Sequence, residues 1–202
     1  MAFNDNAVFT AAGGYVYIAD VATAAPTPAE IGALTLAQLN ESSPPAGSPL
    51  EGWRTIGHTS REEMPEFGFD GGETEVRGTW QNAALREVET EQIADYLTLF
   101  LHQFDTASFE LYYGANASTT PGIFGVAGGQ TQPVEKALLI IIVDGDLRLG
   151  FYAPKASIRR DDAISLPNDE FAALPVRATF LKHGALNLYE WINEDLFPLT
   201  TP

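Results

Sequence analysis

The residue types of a nucleophilic hydrolase come together once, in Gly57-His58-Thr59-Ser60 with Asp70 nearby. Such chemistry needs a hydroxyl nucleophile, an imidazole base and an orienting carboxylate, and on an α/β sheet it needs a Gly-x-Ser-x-Gly turn. The spacing here is wrong for that turn. Ser60 ahead of Arg61-Glu62-Glu63 reads better as a helix N-cap, with Glu63 completing a capping box. Asp144 and Asp146, Asp161-Asp162 and Asn168-Asp169-Glu170 offer oxygens to a hard cation. None has the EF-hand register, and solvated turns explain them more simply. His58, His102 and His183 lie far apart, with no His-x-x-x-His pair. The glycine runs Gly68-Phe69-Asp70-Gly71-Gly72 and Gly125-Val126-Ala127-Gly128-Gly129 lack the Lys-Ser/Thr of a phosphate-binding loop. No cysteine is present, hence no thiol nucleophile, Cys-ligated zinc or disulfide. No catalytic, cofactor-binding or metal-binding residue is expected, and the chain reads as a non-enzyme.

Charge narrows the partners. In 202 residues, 11 Lys+Arg stand against 27 Asp+Glu, a formal charge of −16. Non-specific nucleic-acid binding draws on cations that release counterions from phosphates, so most of this surface should repel DNA. Anionic membranes are disfavoured for the same reason. With 45% hydrophobic residues the chain can bury a sizeable core. Its longest apolar run, residues 137–143, is far short of the roughly 20 needed to span a bilayer. Met1-Ala2-Phe3-Asn4-Asp5-Asn6 has no basic segment leading into an apolar one, so no secretory signal is expected. These features read as a soluble protein made in a cytoplasm.

The elements that would carry any site are short and mostly β. Tyr15-Val16-Tyr17-Ile18-Ala19, residues 73–80, 83–88, 109–113, 137–143, 147–152, 156–160 and 176–182 have strand-like content. Asp144-Gly145-Asp146 reads as a tight hairpin turn. One helix is expected over 91–104, capped by Thr90, with Ile93, Tyr96, Leu97, Phe100, Leu101 and Phe104 at helical spacing. Residues 22–52, rich in Ala, Thr, Ser and Pro, read as a long exposed loop in which Pro28-Ala29-Glu30 opens at most one helical turn. The tail 186–197 reads as a short helix or a docking strand. The expected fold is mainly β with one α-helix: a β-sandwich or partly open barrel of two packed sheets, one domain over 1–202 with a loop-rich insert at about 22–52.

Several large apolar side chains sit in loop-rich surroundings: Met64, Phe67, Phe69, Trp80 and Phe197. Such residues either fold back locally or bury against a partner.

A longer pattern bears on that choice. The stretch Gly57-His58-Thr59-Ser60-Arg61-Glu62-Glu63-Met64-Pro65-Glu66-Phe67-Gly68-Phe69-Asp70, continuing through Glu73-Thr74-Glu75-Val76-Arg77-Gly78-Thr79-Trp80-Gln81-Asn82, resembles the tail tube protein family of long-tailed bacteriophages. So do Leu85-Arg86, Ile93-Ala94-Asp95-Tyr96-Leu97 and Phe180-Leu181-Lys182-His183, and the likeness is nearest to versions in phages of actinobacteria. The resemblance implies two packed sheets flanked by a helix, with a long hairpin and mobile arms. It implies six-copy rings stacked into a tube, in the virion, around a tape-measure protein and closed by tail-tip and tail-terminator proteins. DNA would leave through an inner β-barrel without specific binding, and no membrane partner or cofactor is implied. On this reading Met64, Phe67, Phe69, Trp80 and Phe197 are contacts between subunits. Glu73 and Glu75, and more weakly Glu87 with Glu89, face the lumen, Arg77 shares their face, and Thr74 and Val76 face the core. The competing reading is a non-catalytic β-sandwich binding module, for capsid decoration or carbohydrate.

Overall fold

The computed structural model describes residues 3–4, 7–128 and 133–198. Met1, Ala2, Asp5 and Asn6 of the signal reading, and Gly129 of the second glycine run, lie outside them. In chain order the elements are β1 (Gly13–Ala19), α1 (Pro28–Ala33), α2 (Leu36–Leu39), β2 (Arg54–Thr55), β3 (Glu66–Asp70), β4 (Thr74–Thr79) and β5 (Asn82–Glu89). There follow β6 (Ala94–Leu101), α3 (Thr106–Tyr113), β7 (Val134–Asp144), β8 (Leu147–Arg160), β9 (Leu174–Phe180) and β10 (Glu190–Ile192). The chain is mainly β, in two sheets. The larger runs β2-β1-β7-β8-β9-β6-β3 with β10 added on β8, and the smaller is the β4–β5 hairpin alone.

The large sheet curls without closing. Phe67 on β3 and Phe151 on β8 are three strands apart in the order, about 14 Å in a flat sheet, yet their ring centres are 4.7 Å apart. The segment after β2 fastens the two ends together. Ile56 donates its N–H to Val16 O on the β1 side, while His102 donates to His58 O and Ser60 to Phe100 O on the β6 side. Inside the curl, Val16, Ile18, Leu97, Leu99, Leu101, Leu138, Ile140, Phe151 and Val176 form one core.

A second core lies on the outer face of β1, β7 and β8. There Tyr17, Leu139, Ile141 and Tyr152 meet Ile31, Leu34, Leu39, Leu50 and Trp53. Residues 22–52 are therefore not a long exposed loop. Thr27 and Thr35 each build a reciprocal capping box, with Glu30 and Gln38, and the two short helices turn their buried side chains onto the sheet. Covered on both faces, β7 must be apolar at successive positions, which is why residues 137–143 read as an unbroken run.

The helix and the following strand are the reverse of the expectation. Residues 94–101 are strand β6, because Leu97, Leu99 and Leu101 are buried in alternation while Thr98 and Phe100 are half-buried. Thr90 caps nothing: its N–H and hydroxyl both donate to Glu73 O. Residues 109–113 belong to α3, whose cap is Asp105, accepting from Ser108 N–H at 2.9 Å. One turn apart, Phe109 and Tyr113 stack with ring centres 5.9 Å apart, and Leu111 and Tyr112 enter the inner core. Ser60 Oγ does accept from Glu63 N–H at 3.0 Å, but no helix follows, and its own N–H is already given to Phe100 O.

The turn expected at Asp144-Gly145-Asp146 forms. Asp144 pairs with Leu147 across a two-residue turn in which Gly145 has φ 56°. The two strands expected over 147–160 are one, β8. The tail docks as a strand, placing Trp191 against Phe151.

Candidate subunit interface

Between β3 and β6 the chain leaves the curled sheet as the β4–β5 hairpin. All of β4 is exposed, as is all of β5 apart from half-buried Val88. The hairpin turns through Trp80-Gln81, since Thr79 pairs with Asn82. A regular ladder would then set Ala84 opposite Arg77. An irregularity in β5 sets Arg86 there instead, and Gly78 permits it, because a Cβ at Gly78 would fall 2.2 Å from Ala83 O.

That register assigns the faces. Strand alternation puts Glu75 and Arg77 on one side with Arg86 and Val88, and Thr74 and Val76 on the other with Leu85, Glu87 and Glu89; carried one residue ahead of β4, it sets Glu73 on the side of Glu75. Arg77 does share the face of Glu75, and its Nε lies 3.2 Å from Glu75 Oε2. Glu87 does not share the face of Glu75: its carboxylate accepts from the Thr74 hydroxyl on the opposite side. Val76, expected to face the core, is 58% exposed, because no core lies beneath the hairpin.

The expected contact residues divide into three sets. Met64 and Phe67 line a groove of about 600 Å³ with Val16, Ile140 and Ile142, at the open side of the curl. Phe67 also packs within its own chain, on Phe151 and on Trp191 at 5.2 Å, so a neighbour is not its sole source of burial. Phe69 is exposed, and Trp80 stands at the hairpin tip with 99% of its surface free. Phe197 is exposed in a different groove, with Pro26, Tyr152 and Trp191. Sequence reasoning passed over Leu85 and Ile93, both exposed beside this set. Alternation along β5 would have found Leu85, on the face of Glu87. Among the described residues, seven of the nineteen exposed large apolar side chains thus fall between residues 64 and 93.

Among the described residues no group of three or more His, Asp or Glu could hold a metal ion, and no helix is long and apolar enough to cross a membrane. His102 uses Nδ1 to contact Ala172 O at 2.9 Å. The ion pairs Lys136–Asp20, Lys155–Glu135 and Arg177–Asp70 tie strands and loops within the chain. The hydrogen bond from Lys136, and then its charge, holds the Asp20 carboxyl below the ordinary range.

Relatives give this geometry its context. The sequence profile described as phage tail tube protein matches residues 1–202. The major tail protein Gp23 of Mycobacterium phage D29 is 57% identical over 200 residues, covering 99% of this chain and 98% of that protein. The major tail protein Gp23 of Mycobacterium phage L5 is 57% identical over 197 residues, covering 98% and 96%. The chain belongs to the phage tail tube protein family: it is a structural protein of the virion tail, as the sequence resemblance implied, and not an enzyme.

Proposed function

We propose that this chain polymerises as stacked hexameric rings and that the stack is the conduit through which the phage genome enters the host. The hairpin carries the proposal. A two-stranded ribbon exposed on both faces is marginal alone, and both of its edges present unpaired backbone groups. Strands of neighbouring copies, laid edge to edge around an axis, satisfy those groups and leave no edge. The whole of 1–202, with the docked insert at 22–52, serves as one tail tube domain. Met64, Phe67, Phe69, Trp80 and Phe197 are its subunit contacts.

Glu73 and Glu75 face the bore. Beside them Arg77 is already paired with a carboxylate, which removes one cation that passing phosphates could otherwise hold. A tape-measure protein occupies the bore before ejection, and tail-tip and tail-terminator proteins close the ends. The subunit is made in the host cytoplasm.

Negative-stain imaging and sedimentation of the purified protein across salt and concentration test this reading. Rings or tubes of six-fold symmetry are expected, favoured by salt that screens the −16 carried by each copy. A monomer under all conditions, even with the tail tip supplied, would overturn it.

A further inference from the structure

The Arg77–Arg86 pairing is hard to reconcile with the free subunit. Cations are scarce in this chain, 11 against 27 acids, yet two of them sit directly opposite in a solvent-exposed ladder. Like charges across a strand pair destabilise it. Arg77 reaches Glu75, but both side chains are 60% exposed, and Arg86 has no ion pair among the described residues. Along this face charge is divided lengthwise: Glu75 toward the base, with Glu73 just ahead of the strand, and Arg77 and Arg86 toward the tip. The opposite face carries Glu87 and Glu89 and no cation.

We propose that this pattern is a register key between copies, in which Arg86 of one hairpin binds Glu75 of a second copy beside it, with Arg77 and Glu73 flanking that pair on the same face. The inference rests on the tube reading and adds how neighbouring hairpins choose their alignment. Copies related by rotation turn the same face the same way, so unshifted hairpins would set Arg86 on β5 of one copy against Arg77 on β4 of the next, and Val88 against Glu75. A slip of two residues, about 7 Å, places Glu75 of the neighbouring β4 opposite Arg86 instead. Closing tilted strands into a barrel demands such a stagger. Backbone pairing alone would not select it, because a hairpin exposed on both faces has nothing to fix its register. Charge complementarity supplies that selection, and the β5 irregularity that brings Arg86 opposite Arg77 puts both cations in one row.

Two charge-reversed proteins test this: Arg77→Glu/Arg86→Glu, and Glu73→Arg/Glu75→Arg. Both should fold like the wild type, judged by circular dichroism and urea unfolding, because all four side chains are exposed. Each alone should lose tube yield by about tenfold or more at low salt, since every inter-copy pair becomes repulsive. An equimolar mixture should recover tubes, because alternating copies restore opposite charges at each contact. Either protein alone forming tubes as the wild type does, or a folded mixture failing to recover them, would overturn the register key. So would Arg77→Glu/Arg86→Glu tails that assemble normally but differ in DNA release, which would assign the arginines to phosphates. A wild-type protein that never forms tubes would overturn the tube reading itself.

Discussion

The guanidinium carbon of Arg177 lies 3.4 Å from the centre of the Tyr96 ring. That contact crosses from β9 to β6 and continues to β3, for the Tyr96 ring also overlies Gly68, and Arg177 Nη2 reaches Asp70 Oδ2. Glycine is required below the ring: a Cβ at Gly68 would fall 2.6 Å from its outer atoms. Gly68→Ala should push Tyr96 off Arg177 and cost about 1–2 kcal/mol, through the lost cation–π contact and the strain of overpacking. Gly13→Ala, with nothing within 4 Å, is the control. Urea unfolding of the two should separate them, and equal stability would show that the stack does not hold β3 to the sheet.

The insert makes a similar demand. Ile31 is fully buried, and its Cδ1 would lie 2.7 Å from a Cβ at Gly150. Ile31→Ala should cost about 2–5 kcal/mol, as buried truncations do. An exposed loop would lose about 0.5 kcal/mol or less. Chemical denaturation decides between them.

That contrast shows what the sequence made legible. Doubly covered β7 announced itself as an apolar run, and the Asp144-Gly145-Asp146 turn by its glycine. Residues 94–101 did not, because Leu97 and Leu101 satisfy both a helical and an alternating pattern, and Leu99 decides only once the opposing sheet is seen. In the insert, Ile31, Leu34, Leu39 and Leu50 follow no period, since short capped helices and turns rather than one element present them. The candidate contact surface was legible in part: Trp80 and Phe69 stood out by composition, and alternation set Arg77 on the face of Glu75. The β5 irregularity that sets Arg86 opposite Arg77 is a property of the ladder, which no local spacing displays.

Alkaline pH should unfold the chain through its buried phenols. Burial raises the Tyr17 hydroxyl above its ordinary 10.0, with the Tyr15 and Glu41 charges adding to it, and burial likewise raises Tyr112 and Tyr152. All three donate to backbone carbonyls, Tyr17 to Leu39 O at 2.6 Å. The unfolded chain therefore gives up these protons first. The stability they contribute is whole below pH 10.0 and is lost as pH rises through the folded values. Tyr17→Phe leaves Leu39 O without this donor, costing about 1–3 kcal/mol at pH 7. It also removes one titrating group, so its deficit should shrink above pH 10.0. Urea unfolding from pH 7 upward measures the deficit, and a constant gap would contradict the linkage.

Trp80 gives the most direct view of assembly. It is 99% exposed, whereas Trp53 is 2% and Trp191 39% exposed, so the three indoles begin in different surroundings. Nothing in the free subunit depends on the tip, and Trp80→Phe should leave unfolding within about 0.5 kcal/mol of wild type. When copies join, the Trp80 indole should leave water for the neighbouring subunit. Wild-type fluorescence should then move to the blue on tube formation, and Trp80→Phe should lack most of that shift, with Trp53 and Trp191 as background. Interface tryptophans of this kind are worth about 2 kcal/mol or more when truncated. Trp80→Ala should accordingly raise the concentration needed for assembly by about thirtyfold, the factor that such an energy implies. Tubes that form with unchanged emission, and at the same concentration in Trp80→Ala, would remove the hairpin tip from the interface.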